Sequence, residues 1–543
     1  MYRSLFFFII ILFCSNKFNG YAQERPKLVV GIVVDQMRWD YLYKYQENYT
    51  ENGFKRLTQN GFSCERTYIP YIPTYTAPGH ATIFTGSIPA IHGIVANDWK
   101  DKVLDKNVYC TEDSQVDPVG SVSESGKMSP RNMLSTTIGD ELKLTSNGRS
   151  KVFGVAMKDR GAILPAGHSA NGAYWYDSKS GNFITSSYYR NTLPRWVKRF
   201  NHRNVGDSLM LLDWQLILSK ELYKFSSEDE NNYEGKFKWK NNVSFPYATS
   251  KAVELKDKKA ILTSPHGNTI TSMFAKELII NEKLGKGDEV DFLSISFSST
   301  DYIGHFFGIN ALEIEDSYIR MDREIADLLQ FLDKEIGEGE YLVFLTADHG
   351  AANNAQYLLD RKIPAKAKFL KEWIKSLNEY LSTIFNEEKL VLSYMNYQIH
   401  FDENKIDEKN IDRKKLKEYT ISYLNKLEGI TISFDMEGEI ESTAVSIFKE
   451  RSQNAYFYKR SGAIQIILDP NWYSAFANTG TTHGSWNPYD AHIPLIFYGK
   501  NIPKGKSYKN YSMSDIAPTI AAILQIQEPN GSVGVVIEEL LIN

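Results

Sequence analysis

The chain has 543 residues, 42% hydrophobic and 24% charged, with a formal net charge of −4. That balance supplies ample material for a packed core and excludes a largely disordered chain. It also speaks against a nucleic-acid-binding protein, which would carry a basic stripe.

The N-terminus reads as a secretory signal over residues 1–22. Arg3 supplies the positive charge, Leu5 to Phe13 is an unbroken apolar run, and Gly20-Tyr21-Ala22 places small residues before Gln23. The run has nine residues; a membrane-spanning helix needs roughly 20. The mature protein is therefore expected in the periplasm or outside the cell, with no membrane span. With Cys14 in the signal, Cys64 and Cys110 remain; in an oxidising compartment a disulfide and two buried free thiols are both open readings.

Strand-like runs then alternate with helical ones. Lys27 to Val34 is a β-branched strand ending at Asp35, Phe54 to Asn60 a short helix, and Ala77 to Phe84 a helix preceded by Thr76. Lys151 to Met157 is a strand leading to Lys158 and Arg160, and Val290 to Ser298 a strand leading to Asp301. Ala311 to Ile336 is a long amphipathic helix, and Tyr341 to Ala347 a strand delivering Asp348 and His349. Ile493 to Tyr498 and a helix over Ser514 to Leu524 close the core. The alternation predicts an α/β fold, a mostly parallel central sheet sandwiched by helices. Residues 23–354 and 471–543 would form that core, with 161–265 as an excursion from the sheet. Residues 355–470, with charged helices at Ala365 to Phe385 and Asp412 to Leu427 and a strand at Gly462 to Leu468, would form an inserted cap.

The candidate chemistry lies just past the strands, where an open α/β sheet places its active site. Asp301 and His305 are four apart, a spacing that meets on one helical face. His349 directly follows Asp348, and His483 lies in a Gly-Thr-Thr-His-Gly stretch. Six Asp and His side chains, Asp35, Asp301, His305, Asp348, His349 and His483, suffice for two zinc ions with three protein ligands each. The plainer readings are a helix-capping Asp35 and a surface-loop His483. Thr76 sits at or beside a helix N-cap, with Pro78 in the first turn. There it is either a cap or a hydroxyl placed where anions are favoured. Asn97 is either a turn residue or a phosphoryl-oxygen donor. Lys158 and Arg160, two apart, share a face if the extended conformation persists; they are either solvated surface charges or, if aimed into the site, a clamp for a phosphate.

Taken in order, these stretches resemble the alkaline phosphatase superfamily in its PafA-type, Thr-nucleophile, phosphate-irrepressible branch. The resemblance rests on Asp35 with Met37-Arg38-Trp39-Asp40, Thr76-Ala77-Pro78-Gly79-His80, and His92-Gly93 through Asn97. It continues with Lys158-x-Arg160, Ser299-Thr300-Asp301-Tyr302-x-Gly304-His305, Thr346 to Gly350, and Thr482-His483-Gly484. It implies one zinc at Asp301, His305 and His483, and a second at Asp35, Asp348 and His349. It further implies Thr76 as nucleophile forming a phospho-threonine, and Asn97, Lys158 and Arg160 as holders of the nonbridging oxygens. No carboxylate cluster stands out for a third, magnesium site, and the sulfatase signature is absent because Gly79-His80 follows Pro78. The implied substrates are small-molecule phosphate monoesters in broad range, and a monomer is expected. The rival expectations are a phosphodiesterase or nucleotide pyrophosphatase of the same superfamily, and an inactive zinc- or phosphate-binding protein.

Overall fold

The computed structural model of the protein describes residues 24–367, 370–475 and 478–541; the signal reading at 1–22 lies outside them. Its centre is a large twisted sheet. The strand order is His492–Ile493, Phe62–Tyr68, Leu495–Gly499, Tyr341–Thr346, Leu28–Val34, Asp291–Phe297, Val152–Ala156, Gly172–Asp177, Asn182–Ser186 and Pro118–Val119, with Gly505–Ser512 also pairing with Phe62–Tyr68. From Tyr341–Thr346 to Gly172–Asp177 every neighbouring pair is parallel. Leu495–Gly499 and Asn182–Ser186 run antiparallel on either side. The predicted parallel sheet is thus the centre of a mixed one.

Burial explains the central strands. Leu28–Val34, Asp291–Phe297 and Tyr341–Thr346 have no exposed residue, as continuous apolar strands covered on both faces require. Helices flank them. Phe84, in the Thr76–Thr85 helix, packs its ring 6.0 Å from Phe292 and 5.8 Å from Phe344. Phe274, in the His266–Glu282 helix, stacks on Phe183 at 4.1 Å.

Two elements depart from the sequence expectation. Phe62–Tyr68 is a sheet strand, although its Glu65 and Arg66 disguise it as polar. Residues 161–265, read as an excursion, contribute Gly172–Asp177 and Asn182–Ser186 to the sheet; the first is aromatic-rich yet wholly buried.

Within 355–470 lies a separate four-stranded antiparallel sheet, ordered Val391–Met395, Gln398–Phe401, Ile464–Leu468, Ile430–Asp435. The Leu370–Phe385 and Arg413–Leu424 helices accompany it, and its core is a hydrophobic cluster of its own around Leu381, Leu416 and Ile464. The turn of its first hairpin, Asn396-Tyr397, has φ of 60° and 61°, the left-handed pair that a tight type I′ turn demands. That turn reaches the main body, where Asn396 Nδ2 donates to the Asp98 carbonyl at 2.8 Å.

Candidate active site

Sheet register gathers the site. Val33 pairs with Thr346 and Val34 with Phe297, while Ala156 pairs with Ser296. Asp35, Asp348, Asp301 and Lys158 therefore leave the same edge of the sheet, the carboxyl end of its parallel strands. All four are buried. Asp35 caps no helix: its Oδ2 lies 2.7 Å from the Lys158 ammonium, and its Oδ1 has no hydrogen-bond partner among the described residues. The same ammonium is 2.6 Å from Asp301 Oδ2.

Three histidines complete the cluster. His305, one turn beyond Asp301 in the Ser299–Phe307 helix, brings Nε2 to 3.2 Å from Asp301 Oδ1. His483 Nε2 lies 3.6 Å from the same oxygen, and the His483 and His349 rings stack at 3.5 Å. His349 Nε2 is 3.6 Å from Asp35 Oδ1 and 3.5 Å from Asp348 Oδ2. Each ring is pinned through Nδ1 to a backbone carbonyl: His305 to Thr481 at 2.8 Å, His349 to Gly350 at 3.0 Å, His483 to Thr74 at 2.7 Å. Donation from Nδ1 leaves the Nε2 lone pair facing the carboxylates in all three, which is how metal-binding histidines are oriented. His483 is buried, so it is no surface-loop residue.

Three buried carboxylates face one ammonium here, and their protonation divides accordingly. Burial, reinforced by Asp348, pushes the Asp35 carboxyl well above the usual range despite Lys158. Burial alone would raise Asp301, but the charges of His305 and Lys158 hold it well below. His483 is driven well down, first by burial and then by His349 and His305. Such a set is short of positive charge. The ligand atoms of Asp301, His349 and His483 lie within 4.8 Å of one another, as do those of Asp35, Asp348 and His349. His305 falls outside that grouping, yet it stands nearer Asp301 than His483 does. With mixed O and N donors, aligned lone pairs and unsatisfied Asp35 and Asp348 oxygens, the residues fit divalent metal ions of the zinc type.

Thr76 is the first residue of its helix; Tyr75 is the N-cap and makes no side-chain cap bond. The Thr76 hydroxyl is 3.3 Å from His349 Nε2 and 3.3 Å from Lys158 Nζ. Asn97 Oδ1 accepts from the Ala77 amide at 2.9 Å, which leaves its Nδ2 hydrogens as the free donors. Lys158 and Arg160 do not share an extended face. Lys158 is the N-cap of a helix beginning at Asp159, so the chain turns between them. Lys158 points into the carboxylates, whereas Arg160 Nη1 donates to the Tyr109 hydroxyl at 3.1 Å, with its Nε unpartnered.

The type I phosphodiesterase / nucleotide pyrophosphatase family matches residues 29–490. Alkaline phosphatase PafA of Elizabethkingia meningoseptica is 46% identical over 96% of this chain and 95% of its own length. A crystal structure of wild-type PafA superposes with a TM-score of 0.93 at 45% identity, covering 95% of this chain and 99% of that one. The chain belongs to the PafA-type alkaline phosphatases. A Myroides odoratus relative, 48% identical over 98% of this chain and 97% of its own, is named a calcium-transporting ATPase. Among the described residues, no helix is long and apolar enough to cross a membrane.

In this alkaline phosphatase chain, several residues without a sequence-derived role support the cluster. Gln36, at φ 66°, donates its side-chain amide to Asp301 Oδ1 at 2.6 Å and its backbone N–H to Asp348 Oδ1 at 3.1 Å. It thereby ties the two halves of the cluster together. His80, a turn beyond Thr76, bonds the Thr76 carbonyl at 2.9 Å and Ser296 Oγ at 2.8 Å, and lies 3.3 Å from Asp348 Oδ2. Gly79 lets that helix seat against Asp348, since a Cβ there would stand 2.6 Å from the Asp348 carbonyl oxygen. Tyr109 holds Arg160 while donating to Asp159 Oδ1 at 2.8 Å. The i, i+4 spacing of Thr76 and His80 was a usable signal; Gln36 and Tyr109 had none. Cys64 and Cys110 are separate buried thiols, not a disulfide, each pushed up by burial.

Proposed function

We propose that the protein is an exported, zinc-dependent phosphatase that hydrolyses phosphate monoesters through a covalent phospho-threonine at Thr76. The observation carrying the proposal is the placement of the Thr76 hydroxyl, buried at a helix N-terminus and 3.3 Å from both His349 Nε2 and Lys158 Nζ. Asp301, His305 and His483 would hold one ion, and Asp35, Asp348 and His349 the other. When bound, two such ions supply Lewis-acid stabilisation of the entering and departing oxygens.

The chain's own residues account for the rest. Thr76 Oγ bonds to phosphorus as the ester P–O bond breaks and the departing oxygen leaves with the electron pair. The hydroxyl proton passes to solvent. Water then attacks the phospho-threonine, releasing inorganic phosphate and restoring the hydroxyl. Lys158 Nζ, within hydrogen-bonding range of Thr76 Oγ1, also reaches a nonbridging oxygen on the phosphorus being attacked. Asn97 Nδ2 and the unpartnered Arg160 Nε supply further donors. Fixed donors aimed at developing charge are the largest ordinary source of rate enhancement. Residues 355–470 act as a cap, supported by the Asn396 contact beside Asn97.

The family's phosphodiesterase members make diester hydrolysis the rival. A monoester carries one more nonbridging charge, so the Lys158 and Arg160 cations favour it. Rates on p-nitrophenyl phosphate and bis(p-nitrophenyl) phosphate separate the two; faster diester turnover rejects monoesterase dominance. Thr76→Ala should remove most turnover while metal analysis still finds bound zinc, and undiminished activity would eliminate Thr76 as nucleophile.

A further inference from the structure

The first hairpin of the 355–470 region carries a residue that its turn does not favour. A type I′ turn takes φ above zero at both central positions, and glycine is the usual second residue. Here the second residue is Tyr397, at φ 61°, an outlier for so bulky a side chain. Such outliers persist where the surroundings over-determine them, and they concentrate at functional sites. The Tyr397 carbonyl accepts from the Ile466 amide and from Gln465 Nε2, both at 2.9 Å. Gln465 is wholly buried and accepts in turn from Gln398 Nε2 at 3.1 Å. The Tyr397 side chain is itself buried, although it stands at the tip of a hairpin.

Its surroundings belong to the site. A Cβ on Gly484, which has φ 118°, would stand 2.8 Å from a Tyr397 ring carbon and 2.6 Å from a Tyr75 ring carbon. Both rings therefore close on one glycine, and that glycine follows His483 as Tyr75 precedes Thr76. The Tyr75 ring also meets the His483 ring edge-on at 5.5 Å and packs against the hydrophobic core of the 355–470 region. Beneath the rings the two segments are laced together. His483 Nδ1 donates to the Thr74 carbonyl at 2.7 Å, the Gly484 amide to Thr74 Oγ1 at 3.1 Å, and the Thr74 hydroxyl to the Ser485 carbonyl at 3.0 Å. The other turn residue, Asn396, donates to the carbonyl of Asp98, which follows Asn97. One two-residue turn thus bears on the chain neighbours of Thr76, Asn97 and His483.

We propose that Asn396 and Tyr397 are positioning residues for hydrolysis: their turn fixes the spacing of the segments that carry Thr76, Asn97 and His483. This role rests on the phosphatase reading above. Tyr397 acts on the metal side, by seating Gly484 and with it the His483 ring. Asn396 acts on the phosphate side, by holding Asp98 and with it the Asn97 amide. Both work through other residues, so each should leave its own signature.

The test uses the full-length zinc-loaded protein and four variants. Asn396→Gly and Tyr397→Gly delete a side chain while supplying the residue that left-handed turn positions favour. Tyr397→Phe keeps the ring. Leu381→Ala opens a cavity in the core of the same region, outside the turn. The readouts are kcat/KM on p-nitrophenyl phosphate, inhibition by inorganic phosphate, the half-time of zinc loss to a chelator, and the melting temperature. Asn396→Gly should lower kcat/KM and weaken phosphate inhibition about tenfold each, a fraction of the roughly 10²-fold cost of a 1 Å misplacement. Its zinc loss should be unchanged and its melting temperature within about 2 °C of wild type. Tyr397→Gly should lower kcat/KM by about 10². It should also speed zinc loss about tenfold or more, as loss of a group that orients a ligand does. Tyr397→Phe should restore both to within about threefold, and Leu381→Ala should lower the melting temperature with kcat/KM and zinc loss within about twofold. A glycine variant within about twofold of wild type in kcat/KM removes that residue from the role. Equal losses in Tyr397→Phe and Tyr397→Gly overturn the seating by the ring, and equal losses in Leu381→Ala reduce the turn to ordinary stability. Wild-type inactivity toward p-nitrophenyl phosphate would instead sink the phosphatase reading, and the zinc-loss comparison would still decide whether Tyr397 holds His483.

Discussion

Gln36 and Gly304 make a sharp test of how the cluster is held. The Gln36 amide donates to Asp301 Oδ1 at 2.6 Å in a buried setting, so Gln36→Ala should cost about 1.5–3 kcal/mol, the range for a hydrogen bond to a charged group. Gly304 lies inside the Ser299–Phe307 helix, and a Cβ there would stand 1.8 Å from Gln36 Oε1. Gly304→Ala must therefore displace the same amide, losing that bond and adding overpacking of roughly 1–3 kcal/mol. Once Gln36 is truncated the obstructing atom is gone. What remains of Gly304→Ala is the intrinsic helix preference of Ala over Gly, about 0.8–1 kcal/mol in its favour. The second substitution should thus be destabilising in the wild-type background and neutral or stabilising in the Gln36→Ala background. The assay is denaturant unfolding of all four proteins at one fixed zinc concentration, accompanied by kcat/KM on p-nitrophenyl phosphate. Additivity of the two losses within about 0.5 kcal/mol, the behaviour of independent sites, would refute the argument.

Three other outcomes follow from the same geometry. Arg160→Ala should lower monoester kcat/KM by about 10²–10³, the usual cost of one charge-stabilising donor, and diester kcat/KM by much less. Tyr109→Phe, which frees Arg160 Nη1, should reproduce that bias in weaker form; equal losses on both substrates would contradict the clamp. Chelation should abolish activity and lower the melting temperature together, with zinc restoring both, because binding to the native state alone stabilises it; an unchanged melting temperature would argue against native-state metal. A further, proton-linked case is Glu234, whose carboxyl burial pushes up to about 8. Its ordinary value is about 4.5, so between those limits the folded protein holds a proton that the unfolded chain releases. Stability then falls as pH rises through that window. Glu234→Gln cannot ionise, so its melting temperature relative to wild type should climb from pH 5 to about pH 8 and level off above that, and a flat difference would refute the burial argument.

The strands that end in Asp35, Asp301 and Asp348 were legible because fully buried strands carry continuous apolar runs, and their ends are abrupt. Register then does the gathering, since parallel pairing of Val33 with Thr346 and Val34 with Phe297 makes the three ends neighbours. What a one-dimensional reading lacks is the direction the chain takes next. Lys158 and Arg160 show why. Two-residue spacing implies a shared face only in an extended chain, and here the helix begins at Asp159. The two cations consequently approach the site from different directions, one held by carboxylates and the other by Tyr109. Gln36 was illegible for a related reason: its left-handed backbone turns its side chain back toward Asp301, and nothing in the local composition announces that turn. The charged residues of the cluster can thus be found by type and strand position. Those that aim them depend on contacts between segments hundreds of residues apart, as Gln36 with Asp301 and His483 with Thr74 are. Substitutions in this second group should therefore perturb the geometry of the cluster before they perturb its composition.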